Sequence, residues 1–165
     1  MEVILFRHGI AVERQEWTGN EQDRPLTGKG IRRTRRSAKG LRSLRITPTQ
    51  LLSSPLVRAR ETADILQHLV RPTVTVQICE ALLPEASPNA LFTLLGTMPS
   101  DSVVLCVGHE PHLSMLAATL FTGDPCAGIL LKKAGACLIQ IEKSVGAAKG
   151  HLEWWLTPKQ LRALG

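Results

Sequence analysis

The sequence predicts an α/β protein, a three-layer sandwich in which helices flank a mostly parallel central sheet. Three observations carry the expectation. Short apolar runs of strand length alternate with longer stretches of helical spacing. The 165 residues suffice to bury one core. No internal repeat, low-complexity tract or linker interrupts the alternation, so residues 1–165 are expected to form a single domain.

Val3–Phe6 is a short apolar run suited to a strand buried on both faces. The polar segment after it carries few helix signals until Arg24-Pro25-Leu26-Thr27-Gly28, which is turn chemistry. A helix follows, with Ile31, Thr34, Ala38 and Leu41 at helical spacing and arginines on its outer faces. Leu51–Ser53 reads as a second strand. Ser54 is then expected to cap a helix with Pro55 at its first position, and Leu56, Ala59, Ala63, Leu66 and Val70 mark its buried stripe. Val74–Cys79 alternates and is β-branched, a third strand, and Pro88–Leu95 is a short helix. Val103–Val107 is a strongly apolar strand ending in Gly108-His109. Pro111–Phe121 reads as a helix stopped by Gly123. Ala136–Ile141 and Leu152–Leu156 are expected to be antiparallel neighbours, and Thr157-Pro158 opens a short terminal helix.

Composition narrows the class. A hydrophobic content of 44% with 21% charged residues is that of an ordinary globular protein. No run of about 18 apolar residues offers a membrane span. The start, Met1 to Arg7, has neither a basic leader nor a small-residue cleavage site, so the cytoplasm is the expected location. Cys79, Cys106, Cys126 and Cys137 show no metal-ligand spacing and are read as reduced core thiols. The net charge of +6 favours anionic partners. Much of it lies in Arg32, Arg33, Arg35 and Arg36, followed by Lys39, Arg42 and Arg45. That run is either a solvated face or a surface for an acidic protein. Nucleic acid is disfavoured, because the chain has no tyrosine and only 4% aromatic residues for base stacking.

In open α/β sheets ligands gather beyond the carboxyl ends of the strands. Arg7-His8-Gly9, Ser54 to Arg58 and Gly108-His109 each follow a predicted strand, so three polar clusters converge on one edge. Two arginines and two histidines suit an incoming phosphoryl group. Arginine donates paired hydrogen bonds to phosphate oxygens. A neutral imidazole carries a free lone pair and is kept neutral by a neighbouring cation. Arg58, in the first turn of its helix, sits unfavourably at the positive end of the dipole, a cost that a bound anion offsets. Taken singly, each residue has a plainer reading: a structural histidine or a surface charge.

In these segments the chain resembles the histidine phosphatase superfamily, the phosphoglycerate-mutase-like proteins. The resemblance rests on Arg7-His8-Gly9 after the first strand, on the run from Asp23 through Pro25-Leu26-Thr27 to Gly30, on Ser54-Pro55-Leu56-Val57-Arg58-Ala59-Arg60-Glu61-Thr62-Ala63, and on Gly108-His109. It covers residues from about 1 to 121. It implies the phosphoglycerate-mutase-like fold, with His8 as a nucleophile that becomes phosphorylated. Arg7, Arg58 and His109 would hold the phosphoryl oxygens, and no metal or organic cofactor would be needed.

Within the superfamily the chain is most similar to the short SixA-type phosphohistidine phosphatases, through Arg24 to Thr27, Leu83 to Pro88 and Gly108-His109-Glu110-Pro111. Only about 50 residues separate Arg58 from His109, which leaves little chain for extra helices over the site. The implied partner is a phosphohistidine-bearing protein such as the phosphotransfer domain of a signalling relay, with no nucleic acid and no membrane. The alternative is a small-molecule phosphatase or mutase acting on sugar phosphates with the same nucleophile. Glu80 and Glu85 are both candidates for a general acid, and the residues do not choose between them. His112 is expected to be a partly exposed helix residue.

Overall fold

The computed structural model describes residues 1–126 and 128–165. Its strands are β1 (Glu2–Arg7), β2 (Gln50–Ser53), β3 (Val76–Ile78), β4 (Val103–Gly108), β5 (Ala136–Ile141) and β6 (Gly150–Leu156). Its helices are α1 (Gly28–Ser43), α2 (Val57–Val70), α3 (Pro88–Gly96), α4 (His112–Thr122) and α5 (Pro158–Leu164). The strands form one sheet in the order β3-β2-β4-β1-β5-β6. β1, β2, β3 and β4 run parallel, while β5 is antiparallel to both β1 and β6. The expected sandwich with a mostly parallel sheet is therefore present.

Alternation along β1 divides the core. Val3 and Leu5 pack with Leu91, Leu95, Leu113 and Leu116 of α3 and α4 on one face. Ile4 and Phe6 pack with Ala38, Leu41, Ala59, Ala63 and Leu161 of α1, α2 and α5 on the other. A strand buried on both faces has no polar side to present, hence the unbroken apolar run. β1 lies between β4 and β5, so its end emerges mid-edge. The reversed direction of β5 sends the segment before it, Leu131 to Gly135, to that same edge. There Ala134 N–H donates to the carbonyls of Arg7 and His8, and Arg7 N–H donates to Gly135.

Some element boundaries differ from expectation. α2 begins at Val57 with Leu56 as its cap residue, so Ser54 and Pro55 lie before the helix rather than starting it. β3 is confined to Val76–Ile78, since only its β2 side is paired and Ile78 faces solvent. β6 starts earlier, at Gly150. Of the cysteines, Cys79, Cys106 and Cys137 are buried, but Cys126 is exposed and is no core thiol. Its neighbours Asp124 and Pro125 place it in a polar turn, where its N–H donates to Asp124 Oδ1. Among the described residues no helix is long and apolar enough to cross a membrane.

Candidate active site

The ends of β1, β2 and β4 bring the three polar clusters together as expected. His8 N–H donates to Gly108 O, and Ser54 N–H to Val107 O, so sheet pairing continues one residue past each strand. The imidazoles of His8 and His109 face each other with centroids 4.9 Å apart and planes tilted by 54°. Both are buried, as is Arg58, while Arg7 is partly exposed.

His8 Nδ1 lies 2.7 Å from Gly9 O. A carbonyl oxygen only accepts, so Nδ1 carries the proton and the Nε2 lone pair is free. Burial pushes the His8 pKa down to about 3, with Arg58, Arg7 and Lys133 adding repulsion against the charged form. His109 is pushed down to about 2, again mainly by burial, then by His8 and Arg58. Both imidazoles are therefore neutral at physiological pH.

His109 Nε2 lies 2.8 Å from Ser54 Oγ, a contact that fixes the ring and leaves Nδ1 buried with no protein partner. Arg7 and Arg58 each also carry a buried, unpartnered Nε. Arg7 is anchored through Nη1 to Leu131 O at 2.9 Å. Arg58 is anchored through Nη1 to Glu21 O at 3.1 Å, and its Nη2 lies 3.3 Å from Glu21 Oε1. Glu21 also binds Arg24 at 2.7 Å, so one carboxylate ties the loop before α1 to the first turn of α2. Buried polar atoms with open valences near a free imidazole lone pair are chemically suited to a tetrahedral oxyanion.

The supporting contacts explain the remaining motif residues. Thr62 Oγ1 donates to Arg58 O at 2.8 Å and accepts from Gly9 N–H at 3.0 Å, which holds the His8 turn against α2. A Cβ on Gly9 would collide with Thr34 Oγ1, so glycine here admits the close approach of α1. Thr27 caps α1 by accepting from Gly30 N–H at 2.9 Å. Leu26 N–H donates to Glu61 Oε2 at 2.6 Å.

Two clefts reach the arginines of the site. One, of about 630 Å³, is bordered by Arg58, Glu21, Glu80 and Glu85. The other, of about 530 Å³, is bordered by Arg7, Lys132 and Lys133. Glu80 and Glu85 thus share one cleft wall, and both are exposed. His112 departs from expectation, being buried with neither ring nitrogen bonded, because α4 turns its first residue inward. Burial lowers its pKa, and the charge of Glu85 opposes this. Ser54, Glu21 and Lys133 were not singled out from sequence for the site. Of these only Ser54 lay inside a motif, where its position before Pro55 pointed to a helix cap instead.

Comparison with known proteins gives the family and the fold. An uncharacterized protein of Picosynechococcus is 34% identical over 155 residues, covering 93% of this chain and 92% of the relative. The phosphohistidine phosphatase SixA of Escherichia coli is 23% identical over 164 residues, covering 98% and 97%. A solved protein histidine phosphatase SixA complexed with tungstate superposes with a TM-score of 0.86 at 22% identity, over 98% of this chain and 99% of that one. A phosphoserine phosphatase from Entamoeba histolytica shares the fold more distantly, with a TM-score of 0.70 at 17% identity over 97% and 98%. The family described as histidine phosphatase superfamily, branch 1, matches residues 3–83, the part that holds Arg7, His8 and Arg58. With similarity continuing past His109 to the end of the chain, the protein belongs to the histidine phosphatase superfamily.

Proposed function

We propose that this hydrolase removes phosphoryl groups from phosphohistidine on a protein, through a covalent phospho-His8 intermediate. The observation that carries the reading is the His8 tautomer. With Nδ1–H committed to Gly9 O, Nε2 presents its lone pair among Arg7, Arg58 and His109. In the first step Nε2 forms a bond to phosphorus as the phosphorus–nitrogen bond of the substrate breaks, and the departing imidazole leaves carrying a proton taken from solvent water. In the second, water attacks the phosphorus of phospho-His8, releasing inorganic phosphate and the free ring. Charge on the equatorial oxygens is met by the arginine forks and by a proton on His109 Nδ1, the tautomer in which Nε2 accepts from the Ser54 hydroxyl 2.8 Å away. A protonated imidazole leaves readily, so neither Glu80 nor Glu85 is required for this substrate. Metal is not required either, because the guanidinium groups supply the positive charge.

The protein-borne substrate is supported by the near-complete coverage of the Escherichia coli SixA sequence and by the presence, among the described residues, of only a single 3-10 turn (Glu80–Leu82) and the short α3 between β3 and β4. Residues 1–165 act in this reading as one domain, since the site draws on β1, β2, β4 and the segment before β5. The test is phosphate release from a histidine-phosphorylated phosphotransfer domain. The native chain should release phosphate and carry label on His8, and His8→Ala should lower the rate by about 10⁴-fold or more. Turnover confined to small phosphate esters would replace this reading by the metabolic one.

A further inference from the structure

The cleft on the Arg7 side is a strongly cationic surface. Six cationic side chains border it: Arg7, Arg33, Lys132, Lys133, Lys159 and Arg162. No carboxylate lines it. The residues come from β1, α1, the segment before β5, and α5, so no single basic run in the sequence accounts for it. Lys133 has Glu13 at 3.8 Å and Arg7 feels the charge of Glu110, while among the described residues Arg33, Arg36, Lys159 and Arg162 make no ion pair.

Folding drives these charges together. α1 and α5 cross so closely that a Cβ on Gly40 would collide with Leu161 O. That approach sets Arg162 beside Arg33 and Arg36, where burial and the two neighbouring guanidinium groups lower its pKa. Like charges held together by the packing of two helices oppose folding, and an anionic partner removes that cost. The cleft shares Arg7 with the site, and the charge of Lys133 is felt by His8.

We propose that this cleft docks an acidic surface of the phosphorylated protein partner, beside the phosphohistidine that reaches His8. The proposal deepens the phosphohistidine reading and rests on it. A single phosphoryl group is already served by Arg7, Arg58 and His109, so five further cations address charge elsewhere on the same substrate. Part of the arginine-rich helix is thereby a recognition face rather than a solvated one.

The experiment uses the charge reversals Arg33→Glu and Lys159→Glu, both at exposed positions outside the phosphoryl-binding set, alone and combined. Turnover is measured on a histidine-phosphorylated phosphotransfer domain and on free phosphohistidine. The double variant should lose about tenfold in kcat/KM on the protein, mainly through KM, with free phosphohistidine turnover changed by less than about twofold. Raising salt from about 50 to about 300 mM should slow the native chain on the protein substrate and affect the double variant far less. An unchanged rate on the protein, or an equal fall on both substrates, would overturn the proposal. A binding measurement separates its failure from that of the underlying reading. Native chain should shift the fluorescence anisotropy of a labelled decaglutamate peptide, and the double variant should not, even if neither phosphohistidine substrate is turned over. No binding by the native chain, or equally tight binding of a decathymidylate, rules out an acidic protein surface as the occupant.

Discussion

At the scale of single residues, the site depends on side chains that hold its histidines and arginines in place. Ser54 is fully buried and reaches His109 Nε2 at 2.8 Å. Removing its hydroxyl leaves that nitrogen without a partner and the ring free to choose either tautomer. Ser54→Ala is expected to lower stability by about 1–3 kcal/mol, read as a shift in urea midpoint. It should also lower kcat about tenfold or more with little change in KM, because His109 then offers its proton to the phosphoryl oxygen only part of the time. Ser54→Thr keeps the hydroxyl and should recover part of kcat, which a purely structural role would not predict. Glu21 invites a different test. Its carboxylate draws on Arg58 and Arg24 together, with its own pKa held low by those contacts. Glu21→Gln keeps the shape while removing the competing charge, so inorganic phosphate, assayed as a competitive inhibitor, should bind about two- to fivefold more tightly.

At the scale of elements, Gly40 of α1 sets two general rules against each other. Alanine is the better helix former by about 1 kcal/mol. A Cβ there would meet the backbone of Leu161, however, and overpacking costs about 1–3 kcal/mol or more. Gly40→Ala is therefore expected to destabilise, with a lower thermal midpoint, and to loosen α5. The same comparison shows how far elements could be read in advance. The strands with two apolar faces, β1 and β4, and the helix stopped by Gly123 in a left-handed conformation were legible, because burial and backbone geometry leave few residue choices there. The start of α2 was not. Ser54-Pro55 carries the local signature of a helix start, but the Ser54 hydroxyl is taken by His109, a residue 55 positions away. His112 failed for a like reason. A histidine one residue past a helix start looks exposed until the packing of α4 against α3 and the sheet turns it inward. Of the candidate site, the convergence of Arg7, His8, Arg58 and His109 was legible because each lies at or shortly past a strand end on one sheet edge. Lys133 was not, because only the reversed direction of β5 delivers it there.

For the molecule as a whole, a site built from neutral buried imidazoles carries a cost in acid. His8 and His109 are held to about 3 and about 2, whereas an unfolded chain gives histidine its ordinary value of about 6.5. Between these limits the unfolded state binds more protons than the folded one, so stability rises with pH and is lost as pH falls below about 6.5. Each imidazole contributes a slope approaching about 1.4 kcal/mol per pH unit once the unfolded group is fully protonated. Buried His112, also lowered, adds in the same direction. Glu110 acts oppositely. Burial raises its carboxyl, so the folded state takes up a proton before the unfolded one does, which offsets part of the loss at the acid end of the range. The net expectation is a urea midpoint that falls steadily from pH 7 to pH 5 with an unchanged denaturant slope. The combined variant His8→Asn/His109→Asn removes both titrating groups and should flatten that fall, whatever its effect on activity. A native midpoint that stays level over this range would mean that the two rings accept protons within the folded site. In that case His8 would not be held neutral by its surroundings, and the argument for its free Nε2 lone pair at physiological pH would lose its electrostatic half, leaving only the hydrogen bond to Gly9.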